Sequence, residues 1–122
     1  MSIEAAPERR ARGLAGTLER HGRAVDYPKG RMIYATGAQD SSMMLITKGR
    51  VEISRSSVDG RRSILTHLGP GDMLGELAAL DGGARSADAV AATAVQGRVL
   101  EGALVLQRLR EEPDAALDVI GM

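Results

Sequence analysis

The sequence has no cysteine, tryptophan or phenylalanine, and Tyr27 and Tyr34 are its only aromatic residues. The lack of cysteine excludes disulfides, cysteine-ligated iron–sulfur clusters and thiol catalysis. Hydrophobic residues nevertheless make up 43% of the 122 residues, which is enough for the core of one globular domain. That core must consist of Leu, Ile, Val, Met and Ala.

Neither sign of charge is in excess, because 16 Lys and Arg balance 16 Asp and Glu. A domain that grips DNA usually carries a basic excess that displaces counterions from the phosphates. We therefore expect no direct nucleic-acid contact by this domain. No apolar run approaches the roughly 20 residues that span a bilayer, and residues 1–12 contain no hydrophobic signal core. We expect no membrane contact and a cytoplasmic location.

Short apolar stretches alternate with glycine turns between Asp26 and Val99. Many short strands separated in this way predict a β-sandwich or barrel. The predicted strands contain Met32–Tyr34, Met43–Ile46, Val51–Ile53, Ile64–Leu68, Ala87–Val90 and Val95–Leu100. The turns between them contain Gly30, Gly37, Gly49, Gly60, Gly69, Gly71, Gly82 and Gly83.

The strongest hairpin signal is Asp59-Gly60. This dipeptide is typical of a type I′ turn, which needs a positive φ at both central residues. We expect it to join the strand that contains Val51 to the strand that contains Ile64.

Helical spacing occurs only near the two ends of the chain. Between Pro7 and about Arg20, Leu14 and Leu18 lie one turn apart, which predicts a peripheral helix packed on the barrel. Apolar residues between Gly102 and Leu109 also have helical spacing, and Pro113 suits the first turn of a further helix that looks cut short. The predicted organisation of this single domain, residues 1–122, is an N-terminal helix in 1–24, a barrel in 25–100 and C-terminal helices in 101–122.

The segment from Gly75 to Ala87 concentrates residues that can bind an anion. A short helix after Gly75 would offer free backbone N–H groups, and the glycine would let an anion approach closely. Arg85 can direct a planar guanidinium at two phosphate oxygens, and Ser86 can add a hydroxyl donor. Glu76 needs a donor of its own, such as the ribose 2′-hydroxyl that a 3′,5′-cyclic phosphate leaves free. These residues predict recognition of a cyclic nucleotide.

The phosphate-binding cassette of the cyclic-nucleotide-binding domain family resembles two stretches of this sequence, Gly75-Glu76-Leu77-Ala78 and Arg85-Ser86-Ala87. That family includes Crp/Fnr transcription regulators, cyclic-nucleotide-gated channels and regulatory subunits of protein kinase A. The resemblance extends from about Gly30 to Leu109. It implies a mostly β fold, a double-stranded β-helix (jelly-roll) barrel with flanking N- and C-terminal helices. It also implies a homodimer formed through the C-terminal helix, and DNA contact only through a further C-terminal domain.

The resemblance also implies roles for the matching residues. Glu76 would accept a hydrogen bond from the ribose 2′-hydroxyl, while Arg85 and Ser86 would bind the cyclic phosphate. The remaining contacts would come from backbone N–H groups near Gly75, Leu77, Ala78 and Ala87 and from apolar walls formed by Ile53 and Leu65. Cyclic AMP is the favoured ligand, and cyclic GMP or a cyclic dinucleotide stays open.

The resemblance implies a non-catalytic sensor that relays nucleotide binding through its C-terminal helices within a Crp/Fnr-like transcription regulator. Alternatives stay open: a barrel that acts as a protein-interaction module without a nucleotide, or the regulatory domain of a channel or kinase. Arg85 could also be structural and pair with Asp72 or Asp88. Neither an enzyme nor a metal is expected, because His21 and His67 stand apart from any second metal ligand. We expect no cofactor.

Overall fold

The computed structural model describes residues 13–75 and 84–111. The elements of this part of the chain are, in order, α1 (Leu14–His21), β1 (Arg23–Tyr27), β2 (Met32–Tyr34), β3 (Met43–Lys48), β4 (Val51–Ser56), β5 (Arg62–Leu68), β6 (Met73–Leu74), β7 (Asp88–Ala91), β8 (Val95–Leu100) and α2 (Gly102–Glu111). Neither helix is long and apolar enough to cross a bilayer.

The strands form two antiparallel four-stranded sheets, with the orders β1-β8-β3-β6 and β2-β7-β4-β5. Strands from the two ends of the barrel segment are neighbours, since β8 pairs with both β1 and β3, and β7 pairs with both β2 and β4. This arrangement confirms the mostly β, jelly-roll fold with a helix on either side.

The core between the sheets consists of aliphatic side chains, as the composition requires. Its buried members are Met44, Ile46, Val51, Leu74, Ala89, Ala91, Val95 and Val99. Both tyrosines lie at its edge, partly buried against these residues. Methionine fills irregular gaps well, which suits a core without phenylalanine.

A second cluster fixes the two helices to the barrel. Leu14 and Leu18 of α1 are fully buried, as is Val105 of α2, and all three belong to one cluster with Met43 and Leu100. The predicted peripheral helix therefore packs on the barrel through Leu14 and Leu18. Within the described residues α1 begins at Leu14. The further helix predicted from Pro113 lies outside the described residues.

The hairpin between β4 and β5 is confirmed, but its turn differs from the prediction. Val51 pairs with Leu68 and Ser56 with Arg62. Gly60 has a φ of 87°, and no other residue type has a positive φ in the described ranges, so Asp59 does not adopt the type I′ conformation. The Gly60 N–H donates to the Ser57 carbonyl at 3.0 Å. The longer loop needs only one left-handed residue, which is glycine.

Two strands have no counterpart in the apolar pattern. In β1, only Val25 and Tyr27 are partly buried, and the other residues are exposed. Strand β6 has two residues, Met73 and Leu74. Strand β1 forms by pairing with β8, and β6 forms by pairing with β3, without a local alternation of apolar residues.

Candidate functional site

The turn after β2 and the residues before β7 are joined by backbone hydrogen bonds. The Arg85 N–H donates to the Ala38 carbonyl at 3.0 Å, and the Gly37 N–H donates to the Arg85 carbonyl at 2.8 Å. Residue 85 is thereby fixed beside the segment that leads from β2 into β3. This places the Arg85 side chain among residues that are distant from it in sequence.

The guanidinium of Arg85 is buried, with 4% of the side chain exposed. Its Nη2 donates to the Ser42 carbonyl at 2.7 Å and lies 3.6 Å from a carboxylate oxygen of Asp40. The ring of Tyr34 lies beneath the guanidinium, with 4.4 Å between the central carbon and the ring centroid. Three groups from the β2–β3 region therefore hold one cation.

The proposed pairing of Arg85 with Asp72 or Asp88 is wrong. A carboxylate oxygen of Asp72 accepts a hydrogen bond from the Gly69 N–H at 2.8 Å. Asp88 is engaged by Arg62, whose Nη2 lies 3.3 Å from its carboxylate. The carboxylate that pairs with Arg85 is instead that of Asp40, because the backbone hydrogen bonds of residue 85 with Gly37 and Ala38 bring the loop of Asp40 close to it.

Two nitrogens of Arg85, Nε and Nη1, are buried and have no hydrogen-bond partner among the described residues. Burying a charged donor without an acceptor costs free energy, because the donor loses its bonds to water. An anion placed against these nitrogens would supply the missing acceptors. Nε and Nη1 are therefore the candidate donors of this site to an anionic ligand.

Gly75, which follows β6, completes the surroundings of the guanidinium. Its φ is 87°, in the region that glycine adopts without strain. A Cβ at this position would contact Arg85 Nη1 and would lie 2.6 Å from the Ser42 carbonyl oxygen. Glycine alone combines an unstrained positive φ with the absence of a Cβ. The backbone at residue 75 can therefore lie directly against the Arg85 side chain.

A small cavity of about 70 Å³ lies beside this cluster and is lined in part by Tyr34, Asp40 and Arg85. Ligand sites usually enclose roughly 300 Å³ or more. The guanidinium and its neighbours line this cavity, which is too small to enclose a nucleotide.

Ser86 and Ala87 continue the chain from Arg85 toward β7. Ser86 is exposed, and its carbonyl accepts a hydrogen bond from Arg55 Nε at 3.2 Å. Ala87 is buried, with 6% exposed. Ser86 is thus accessible to solvent, next to the buried Arg85 in the chain.

Asp88 anchors the end of this segment. Its Oδ1 accepts hydrogen bonds from the Thr36 N–H at 2.7 Å and from the Thr36 hydroxyl at 2.9 Å. These two bonds, together with the charge of Arg62, hold the pKa of Asp88 below its usual value. Asp88 therefore ties the strand after the arginine to the same turn that binds the Arg85 backbone.

The ionisation of Asp40 is set by opposing effects. Partial burial raises its pKa, but hydrogen bonds from Ser42 and the charge of Arg85 together lower it below the usual value. Asp40 Oδ1 accepts from the Ser42 N–H at 2.9 Å. The carboxylate is therefore charged near neutral pH and faces the guanidinium.

The two predicted apolar walls differ in their surroundings. Ile53 is partly buried and packs against the core between the sheets. Leu65 lies on β5 with 50% of its surface exposed. Neither residue lines the small cavity beside Arg85. Glu76, Leu77 and Ala78 lie outside the described residues, so their predicted roles stay predictions.

The two histidines are separate in the structure as well. His67 lies opposite Glu52 on β5 and β4, with 3.8 Å between Nε2 and a carboxylate oxygen. Among residues 13–75 and 84–111, no three His, Asp or Glu side chains converge as metal ligands would.

Tyr34, Asp40 and Ser42 are site residues to which the sequence analysis assigns no role. Tyr34 is one of two aromatic residues in a chain that otherwise lacks them. That rarity is the signal that could have drawn attention to it. Nothing in the local sequence indicates that Asp40 or Ser42 faces a residue more than 40 positions away.

The profile of the cyclic nucleotide-binding domain family matches residues 24–112, which include every strand except the first residue of β1. This chain belongs to the cyclic nucleotide-binding domain family.

Similar proteins include regulators and an enzyme. This cyclic nucleotide-binding domain is 33% identical over 90 residues to the CRP-like cAMP-activated global transcriptional regulator of Mycobacterium tuberculosis, covering 74% of this chain and 40% of the relative. The catabolite activator protein of Thermus thermophilus is 30% identical, with a TM-score of 0.81 over 94% of this chain and 52% of that one.

A third similar structure is that of the EAL enzyme Bd1971 in its cAMP-bound form. It is 33% identical, with a TM-score of 0.67 over 72% of this chain and 24% of that one. The same enzyme has a cGMP-bound form. The domain spans 40% of the length of the M. tuberculosis regulator, so it corresponds to one part of such a protein.

Proposed function

We propose that this domain is a non-catalytic sensor that binds a cyclic nucleotide, with cyclic AMP preferred, through Arg85. The observation that supports it most directly is the pair of buried Arg85 nitrogens that have no acceptor among the described residues. A cyclic phosphate carries one negative charge and two free oxygens, which would accept hydrogen bonds from these two nitrogens. The cAMP-activated relative and the cAMP-bound similar structure support the same ligand.

The other contacts follow from the family's cassette. Ser86 would donate its hydroxyl to the phosphate, and Glu76 would accept from the ribose 2′-hydroxyl. Backbone N–H groups near Leu77, Ala78 and Ala87 would complete the phosphate contacts, and Ile53 and Leu65 would flank sugar and base. Cyclic GMP is the alternative ligand, because one similar enzyme has a cGMP-bound form.

The sensor would act on a partner domain through its C-terminal helices. Helix α2 directly follows β8, and its Val105 is buried in the same cluster as Leu14 and Leu18. Ligand binding would favour one arrangement of these packed elements over another. We propose that residues 1–122 form one such domain of a cytoplasmic Crp/Fnr-like transcription regulator, dimeric through its C-terminal helix, with DNA bound by another domain.

Calorimetric titration with cyclic AMP and cyclic GMP tests the binding proposal. We expect saturable binding of cyclic AMP that Arg85→Ala weakens by about 1.5–3 kcal/mol, as for a hydrogen bond to a charged group. Arg61→Ala is the matched control, because Arg61 is exposed and its pair with Asp59 lies in solvent. Absence of binding by the unmodified chain with both nucleotides would contradict the proposal.

Hydrogen exchange tests the relay. Saturating cyclic AMP should slow the hydrogen exchange of the α2 amides as well as that of the amides around Arg85. If α2 is coupled to the site, ligand binding makes the local opening of its backbone hydrogen bonds rarer. Protection confined to the residues around Arg85 would show that binding does not reach α2.

A further inference from the structure

The stacking of Arg85 on Tyr34 places a buried cation on an aromatic face. Tyr34 is the last residue of β2 and is partly buried, and its ring centroid lies 4.4 Å from the guanidinium carbon. The electron-rich face of an aromatic ring attracts a cation, most strongly where water is excluded. With 4% of the Arg85 side chain exposed, this contact is made in such surroundings.

An aromatic ring and an acceptor oxygen contact different parts of a guanidinium. The N–H donors of arginine lie in the plane of the group, whereas the ring contacts the plane from one side. Stacking therefore stabilises the cation and occupies none of its donors. In this structure only Nη2 donates to a described residue, Ser42, while Nε and Nη1 stay without an acceptor.

The backbone fixes both members of the stack to one another. Tyr34 pairs with Ala89 of β7, and the register of this pairing shifts between Met32 and Tyr34. Such irregularities re-aim a side chain. Arg85 is held from the other side by the hydrogen bonds of its backbone to Gly37 and Ala38.

We infer that Tyr34 is a positioning residue for the ligand: its ring face holds Arg85 in place while leaving the Nε and Nη1 donors free for an anionic phosphate. This inference rests on the proposed function, because it assumes that the phosphate binds Arg85. The aromatic ring is the required feature, and the hydroxyl is not, since the ring face makes the contact.

Cyclic AMP titration of the full chain with three substitutions tests this role. Tyr34→Leu removes the ring and should weaken binding about tenfold, the order expected for a desolvated cation–π contact. Tyr34→Phe retains the ring and should bind within about twofold of the unmodified chain. Leu68→Ala is the control and should also remain within about twofold, because Leu68 is partly buried against the core and does not line the cavity beside Arg85.

Thermal unfolding of each variant shows whether it is folded at the titration temperature. If Tyr34→Leu does not fold, Tyr34→Met takes its place, because methionine fills irregular gaps without an aromatic face. The recovery of affinity by phenylalanine distinguishes positioning of Arg85 from a general loss of packing, which Leu68→Ala also produces.

Three results would overturn the inference. If the unmodified chain binds cyclic AMP and Tyr34→Leu binds equally well, the positioning role is wrong and the proposed function stands. If Tyr34→Phe is as weak as Tyr34→Leu, the hydroxyl and not the ring is required. Absence of binding by the unmodified chain overturns the proposed function, and the positioning role with it.

Discussion

The backbone of Gly75 lies directly against the guanidinium of Arg85. Gly75 has a left-handed φ of 87°, and any side chain there would meet both Arg85 Nη1 and the Ser42 carbonyl. Gly75 therefore determines where the arginine can lie.

Replacing Gly75 by alanine should destabilise the domain and weaken cyclic AMP binding. The left-handed backbone alone should cost about 1–2 kcal/mol of unfolding free energy, and displacement of Arg85 should add to that cost. Gly60→Ala is the control, because Gly60 has the same φ but nothing within 4 Å of a new Cβ. Denaturant unfolding and calorimetry measure the two effects. Affinity retained by Gly75→Ala would show that Arg85 can move without loss.

Asp88 should make stability depend on pH in the acidic range. Hydrogen bonds from Thr36, aided by the charge of Arg62, lower the pKa of Asp88 in the folded state. The folded state then holds its proton less tightly than the unfolded state, whose aspartate pKa is about 3.9. The stabilisation is present above that value and is lost as the pH falls through the lower, folded pKa.

Asp88→Asn should therefore lower the unfolding free energy by about 1 kcal/mol at neutral pH. Below pH about 4 the difference from the unmodified chain should shrink. Denaturant unfolding across this pH range measures it, with the exposed residue Asp26→Asn as control. A difference that stays constant down to the lowest pH would rule out the carboxylate as its source.

Ser54 should tolerate, and even favour, the loss of its hydroxyl. Its side-chain oxygen is fully buried and has no hydrogen-bond partner within the described parts of the chain. Ser54→Ala removes a desolvated polar group, so we expect the unfolding free energy to rise by about 1 kcal/mol. Ser56→Ala, two residues along the same strand and exposed, should change nothing. A loss of stability in Ser54→Ala would reveal an acceptor for this hydroxyl.

Leu18 should contribute strongly to stability because it fixes α1 to the barrel. It is fully buried in a cluster with Val105 and Met43. Leu18→Ala should cost about 2–5 kcal/mol of unfolding free energy through lost burial and the resulting cavity. Leu104→Ala on α2 removes the same groups from a side chain that is 44% exposed, and should cost far less. Equal losses in thermal or denaturant unfolding would mean that α1 is not fixed through Leu18.

Much of the fold follows from local features of the sequence. Each predicted stretch from Met32 to Leu100 overlaps an observed strand. Of the predicted turn glycines within the described residues, Gly30, Gly37, Gly49, Gly60 and Gly71 have a positive φ, and Gly69 does not. Apolar alternation and glycine turns reflect interactions within a few residues, so they can be recognised without knowledge of the rest of the chain. The roles that the family resemblance implies for the cassette residues stay predictions.

The surroundings of Arg85 were decided only by the tertiary structure. Its charge partner is Asp40, 45 positions earlier in the chain, and not the nearer Asp72 or Asp88. The pairing of residue 85 with Gly37 and Ala38 brings Tyr34 and Asp40 to the guanidinium. Local sequence carries no signal for such a contact, because it depends on which strands become neighbours. The sequence by itself determined that an arginine follows a glycine-rich loop; strand pairing determined which groups hold that arginine and which of its donors remain free.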